Sequence, residues 1–296
     1  MTENQHLESL HIPVLTDEVL EGLQLKSGDT VIDGTLGGGG HTRAIAKLIG
    51  GNGLVISLDR DSHAIERAET LLKGLPVVLA HSNFTDAPEV MEQIGISKAN
   101  GIILDLGLSS DQLGDHERGF SFMSDGPLDL RFDKQNGEPA YRLVQRLKQD
   151  HLANLIYEYG EERLSRRIAR KLISMRNKRK VFSAKQIADA VYGCYPNPRK
   201  QKIHPATRTF QALRIAVNDE LKSLEIALKR LPEFLVPNGR LAIISFHSLE
   251  DRRVKNAFSR DIRLEPINRK PIVASDVELD DNPRSRSAKL RIARRI

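Results

Sequence analysis

Three aspartates end short apolar runs in this sequence, and each run is followed by residues that turn the chain. Asp33 follows Thr30-Val31-Ile32, Asp59 follows Leu54-Val55-Ile56-Ser57-Leu58, and Asp105 follows Gly101-Ile102-Ile103-Leu104. Phe84 stands just past a fourth run, residues 77–80. After Asp33 comes Gly34-Thr35-Leu36-Gly37-Gly38-Gly39-Gly40-His41, which enters a helical pattern of Ala44, Ile45, Leu48 and Ile49. Strand, tight turn and helix in that order place backbone N–H groups and a positive helix end at the carboxyl edge of a parallel sheet. A negative group of a ligand belongs there.

Two common nucleotide motifs fail on spacing. A dinucleotide fingerprint requires G-x-G-x-x-G, and counting from Gly37 the last position is Thr42. A P-loop requires Lys six positions after its first glycine, and from Gly34 that position is Gly40. The remaining pattern, apolar strand, Asp, then glycines, resembles the first motif of S-adenosylmethionine-dependent methyltransferases. The chemistry suits that ligand: its carboxylate fits free N–H groups, and its sulfonium and amino group fit nearby aspartates. Asp59, 26 residues after Asp33, can accept both ribose hydroxyls. Phe84 offers a flat apolar face for adenine, and Asp105 faces the methionine end or the incoming substrate.

The elements that must position these residues repeat. Four continuous apolar strands recur about every 25 residues with helical patterns between them, as expected for a parallel sheet covered on both faces. The next buried-strand pattern, residues 240–246, arrives about 130 residues after Asp105, far beyond the roughly 30 residues of a βαβ unit. The amphipathic segment 207–235 can serve as its crossover helix. The expected organisation is a doubly wound α/β core, residues 1–114 and 205–296, with an α-helical domain inserted at 115–204. Its readable helices are 152–159, the basic stretch 163–175, and 183–191 with the capping box Ser183-x-x-Gln186. The terminal segment 288–294 alternates in strand fashion and reads as an ordered edge strand.

Composition bounds the function classes. Of 296 residues, 40% are hydrophobic and 28% charged, a globular composition. The N-terminus shows no secretory pattern and no run reaches a membrane span, so the expectation is a cytoplasmic protein without membrane contact. The single cysteine, Cys194, leaves no internal disulfide and no Cys-based zinc site, and no metal is expected. Net charge is +6, unevenly spread: residues 163–180 hold nine Arg or Lys and no acid, and residues 284–296 hold six more. An anionic partner is favoured.

Six stretches carry a specific resemblance. They are Asp33-Gly-Thr-x-Gly-x-Gly-Gly-His41; Leu104-Asp105-Leu106-Gly107-x-Ser109-Ser110-x-Gln112-Leu113; Glu117-Arg118-Gly119-Phe120-Ser121-Phe122; Asp125-Gly126-Pro127-Leu128-Asp129; His204-Pro205-Ala206-Thr207-Arg208-Thr209-Phe210-Gln211; and Ile244-Ser245-Phe246-His247-Ser248-Leu249-Glu250-Asp251-Arg252. Together, from about His11 to the C-terminus, they resemble the bacterial 16S rRNA (cytosine-N4)-methyltransferase family. The resemblance implies a class I S-adenosylmethionine-dependent methyltransferase fold with an inserted helical, substrate-binding domain. It implies a cytidine of the decoding centre as target, carried by 16S rRNA in the small ribosomal subunit. It places cofactor contacts at Gly39, Gly40, His41, Asp59, Phe84, Asp105 and Gln112.

Methyl transfer to an amine needs an oriented nucleophile and an acceptor for its proton. Asp105 is the first choice of acceptor and Ser110 the second, since residues 105–108 lack the prolines and aromatic of the usual amino-methyltransferase loop. His247 reads as positional. Phe120 and Phe122 divide between holding an unstacked base and filling a core. A nicotinamide-type oxidoreductase and a non-catalytic RNA-binding protein remain the rival classes, and oligomeric state stays open, a homodimer included.

Overall fold

In a computed structural model that describes residues 13–176 and 182–296, the chain forms two compact units. One runs to Ser110 and resumes at Leu221–Ile296; the other is Asp111–Glu220. His11, Ile12 and the basic residues Lys178, Arg179 and Lys180 lie outside the described residues.

The first unit holds seven strands: β1 (Thr30–Asp33), β2 (Leu54–Asp59), β3 (Val77–His81), β4 (Ala99–Asp105), β5 (Leu235–Ser245), β6 (Leu264–Pro266) and β7 (Lys289–Arg295). They form one sheet in the order β3-β2-β1-β4-β5-β7-β6. The first five pair in parallel, and β7 runs antiparallel to both β5 and β6. Chain order reverses between β1 and β4, so the crevice beyond their carboxyl ends is the ligand-binding position of a doubly wound sheet. This is the class I methyltransferase fold.

Alternate residues of each strand enter opposite cores, which explains the continuous apolar runs. Ile32, Ile56, Ile102, Leu104 and Ile243 pack on one face with the helices Glu220–Arg230 and Ser248–Arg260. Val31, Val55, Ile103 and Ile244 pack on the other with the helices Thr16–Leu23 and Gly40–Ile49. Each fully buried aliphatic side chain contributes about 1.5–3 kcal/mol.

Two expectations need correction. The terminal strand is not an edge: β7 lies between β5 and β6. The true edge, β6, is only three residues with an exposed Glu265-Pro266, too short and polar to be seen as a strand. The segment 207–235 is not one helix. Thr207–Asn218 ends at Asp219, in the left-handed region at φ 52°, and a separate helix, Glu220–Arg230, leads to β5. Thr207–Asn218 packs with Gln149–Gly160 inside the second unit, so the expected boundary at 204/205 falls within that unit.

The second unit is helical. Gln149–Gly160, Ser165–Arg176 and Ala184–Tyr192 bury Leu152, Ile156, Ile168, Leu172, Ile187 and Val191. The Ser183–Gln186 capping box forms as its spacing predicts. Phe120 is buried and stacks on Phe132, while Phe122 packs between His204 and Phe210. Arg176 gives its guanidinium to the Gln145 and Leu147 carbonyls, so it is structural. Arg163, Arg166, Arg167, Arg170 and Lys171 are exposed. Like charges four apart on one helix cost roughly 0.2–0.5 kcal/mol per pair.

One glycine makes a close approach that the turn after β1 depends on. A Cβ on Gly34 would lie 2.4 Å from Leu104 Cδ2 and 2.7 Å from Phe84 Cβ. Gly34→Ala therefore overpacks the β1–β4 junction and should cost about 1–3 kcal/mol, read as a lower urea midpoint at unchanged slope. A midpoint equal to that of the wild type would show that this junction is not tightly packed.

Candidate active site

The turn after β1 is tied to strands on both sides. The Gly34 amide donates to the Ile103 carbonyl of β4 at 3.0 Å, and the Leu36 amide to the Leu58 carbonyl of β2 at 2.8 Å. Asp33, 1% exposed, accepts the Thr35 amide at 3.0 Å and the Thr42 hydroxyl at 2.6 Å. Ser57 stands 2.7 Å from the same Thr42 hydroxyl. Burial pushes the Asp33 carboxyl above its usual range, while Thr42, His41 and Thr35 pull it down. Asp33 is thus the anchor of the turn. Sequence reasoning used Thr42 only to reject a dinucleotide fingerprint; its role here shows only once the helix brings it back over Asp33.

Gly39 has φ 77°, a conformation that favours glycine, and a Cβ on Gly40 would meet Pro13 at 2.7 Å. The helix Gly40–Ile49 has no side-chain cap at this end, so its first-turn amides face outward from the turn. An anion such as the carboxylate of S-adenosylmethionine fits that end.

Asp59 lies at the end of β2, half-buried. Its Oδ2 accepts the Gly37 amide at 2.8 Å and its Oδ1 the Asp61 amide at 2.9 Å. A carboxylate has about four acceptor positions, so two remain, the number that two ribose hydroxyls require. Phe84 follows β3 at the start of the short 3-10 helix Phe84–Asp86 and keeps part of its ring exposed. These residues fit the cofactor that the sequence implies.

Asp105 closes β4. Its amide donates to Thr35 Oγ1 at 2.6 Å, which couples β4 to the turn after β1. Its Oδ1 accepts the Gly107 amide at 3.1 Å, and its Oδ2 faces His41 Nε2 at 3.6 Å. His41 is 6% exposed, and that nitrogen makes no hydrogen bond to described residues. Thr35 is a contributor that spacing did not single out, and His41 enters the sequence reading only through the family resemblance.

The loop after Asp105 is fixed by other means than prolines. A Cβ on Gly107 would meet the Phe246 ring at 2.7 Å, and the Leu106 amide donates to the Ile244 carbonyl at 3.0 Å. Arg284, from the segment before β7, donates to Ser110 Oγ and to the Leu108 carbonyl. Ser110 is therefore part of a latch on this loop. Gln112, on the short helix Ser110–Gly114, is buried and belongs to the second unit. His247 is an N-cap: its Nδ1 accepts the Glu250 amide at 3.4 Å, and Glu250 Oε2 accepts the Phe246 and His247 amides. That is the positional role read from sequence.

Burial pushes Asp59 up to about 6, and the charges of Asp61 and Asp33 push the same way, against the Gly37 and Asp61 amides. A ligand whose hydroxyls donate to Asp59 binds its ionised form. S-adenosylmethionine affinity should thus fall about tenfold from pH 7 to pH 5 in calorimetry, and Asp59→Asn should bind more weakly with that dependence gone. The sign for folding is opposite. The folded carboxyl holds a proton that the unfolded chain has released, so this group adds stability as pH falls from about 6 towards 3.8. Wild-type affinity that stays flat across this range would overturn the assignment of Asp59.

Known proteins are similar to this chain over nearly its full length. The model of the MraW methylase family matches residues 8–296. A Rhodopirellula baltica protein named ribosomal RNA small subunit methyltransferase H is 45% identical, covering 98% of this chain and 92% of its own. Proteins of the same name from Deinococcus deserti and a Cyanothece species are 48% and 47% identical, with 97% and 98% of this chain and 94% and 96% of theirs covered. Identity at this level over nearly the full length of both partners leaves one conclusion: the chain belongs to the MraW methylase family.

Proposed function

We propose that this protein is an S-adenosylmethionine-dependent methyltransferase that modifies the N4 amine of a decoding-centre cytidine in 16S rRNA within the small ribosomal subunit. What carries the reading is the full-length similarity to relatives named for small-subunit ribosomal RNA methylation. The strand-end carboxylates around the glycine turn supply its chemistry. A ribosomal substrate puts the protein in the cytoplasm, and among the described residues no helix is long and apolar enough to cross a membrane.

Bound S-adenosylmethionine supplies an electrophilic methyl group. The helix-end amides of Gly40 and His41 would hold its carboxylate, with Gly39, whose own amide donates to the Leu36 carbonyl, shaping the turn beside it. Asp59 would hold its ribose and Phe84 its adenine. Gln112 joins this set through the family resemblance. The cytosine amine is a weak nucleophile because its lone pair is delocalised into the ring. Asp105, fixed by Thr35 and Gly107, accepts one N–H of the amine, which favours a pyramidal nitrogen, and then takes the proton released on methylation. Ser110 has its oxygen engaged by Arg284, so it is a positioning element and Asp105 the acceptor.

Nucleoside mass spectrometry of small-subunit RNA, after incubation with labelled cofactor, should place the label on N4 of cytidine. Label on carbon 5 or on the ribose would refute the reading. Cys194→Ser should retain activity, since this buried thiol donates to the Ala190 carbonyl within the helical unit. Asp105→Asn should lower single-turnover rates at saturating cofactor by 10²-fold or more, the usual scale for a proton acceptor. Arg284→Ala should lower the same rate less, with cofactor affinity preserved. Equal rates for Asp105→Asn and wild type would remove Asp105 from this role.

A further inference from the structure

A groove of about 870 Å³ lies between the helices Ser165–Arg176 and Ala184–Tyr192, wholly within the second unit. Arg167, Arg170 and Lys171 line one wall, and Asp189 and Gln186 the other, with Cys194 at the floor. The three cations sit at i, i+3 and i+4 of one helix, and Arg163 lies in the turn that precedes it. All four are exposed, and the side chains of Arg167, Arg170 and Lys171 make no ion pair or hydrogen bond with a described residue.

The other polar groups of the groove are already engaged. Asp189, the single acid in the lining, pairs with Lys185 at 2.9 Å. Gln186 closes the capping box on Ser183, Ser174 donates to the Lys171 carbonyl, and Cys194 to the Ala190 carbonyl. Burial pushes the Cys194 thiol up, and the nearby charges of Arg167 and Lys171, which line the same groove, oppose it. One end of the groove is braced. Buried Glu162 accepts the Leu164 amide at the start of the first helix and the Tyr195 hydroxyl just past the second, at 2.7 and 2.5 Å.

A braced, concave, acid-depleted groove with self-repelling cations is complementary to a polyanion. The cations recur once per helical turn, roughly 5.4 Å, a repeat short enough for consecutive phosphates of one strand. Arginine forks match phosphate oxygens in pairs. No aromatic side chain lines the groove, so it offers no platform for stacking a base. We infer that this groove grips the phosphodiester backbone of the RNA substrate without reading its bases. The inference rests on small-subunit RNA being the substrate and names the contact that holds it.

The test uses the full chain and fluorescence anisotropy with two labelled probes, a small-subunit rRNA fragment and an unrelated RNA of equal length. For Arg167→Gln/Arg170→Gln/Lys171→Gln, the slope of log affinity against log salt should flatten by about 2–3, given roughly 0.7–0.9 per phosphate contact. Affinity should fall equally for both probes, and S-adenosylmethionine affinity should not change. A control triple, Lys47→Gln/Lys73→Gln/Lys255→Gln, removes the same charge from exposed sites of the first unit and should keep the wild-type slope. An unchanged slope in the groove variant, an equal flattening in the control, or a loss confined to the rRNA probe would each overturn the inference. Wild-type protein that binds both probes through this groove but leaves N4 of cytidine unmethylated would overturn the functional reading alone.

Discussion

The Asp33 carboxylate is shut off from solvent, and a buried charge persists only where its lone pairs are satisfied. Its partners are the Thr35 amide and the Thr42 hydroxyl, one on each side of the glycine turn. Hydrogen bonds to a charged group contribute about 1.5–3 kcal/mol each, whereas a solvent-exposed pair such as Lys185–Asp189 contributes little. The turn is therefore set by Asp33 rather than by surface electrostatics. Thr35 then passes the constraint on, because its hydroxyl accepts the Asp105 amide. Asp105, at the end of β4, is thus positioned through Thr35 by the buried Asp33.

The same logic separates the two basic stretches that look alike in sequence. In residues 284–295 most guanidinium groups are spent inside the fold. Arg284 holds Ser110, Arg291 pairs with Asp251 at 2.7 Å, and Arg294 and Arg295 pair with Glu265 and Glu233. These bonds seat β7 between β5 and β6 and latch the loop after Asp105. Arg167, Arg170 and Lys171 have no such partners among the described residues. Counting charges gives both stretches a basic character; among the described residues, pairing leaves unengaged cations on the helical one.

What was legible in the sequence follows from the same physics. Strands buried on both faces are continuous apolar runs, so β1 to β4 and the acids that end β1, β2 and β4 could be read directly, as could the Ser183–Gln186 cap. The break at Asp219 left no signal, because a left-handed residue between two amphipathic helices need not be glycine. β6 was hidden because an edge strand of three residues with a proline has no periodicity to detect. Within the site, residue types announced the carboxylates. The contributions of Thr35, Thr42 and Arg284 depended on contacts 70, 9 and 174 residues apart in the chain, which spacing cannot encode.

A site built from strand-end carboxylates suits a cationic methyl donor and disfavours a polyanionic acceptor. Asp33, Asp59, Asp61 and Asp105 already strain one another: Asp61 and Asp33 raise Asp59, and Asp105 raises Asp33. Cations placed among them to attract RNA would pair with those carboxylates and remove the acceptors that the cofactor and the amine need. The attraction has to come from other elements. At physiological salt, exposed charges act over about 8 Å, so a cationic helix can hold phosphates without neutralising acids farther away than that. The strand-end acids belong to the first compact unit, and the unengaged cations of the helix Ser165–Arg176 to the second.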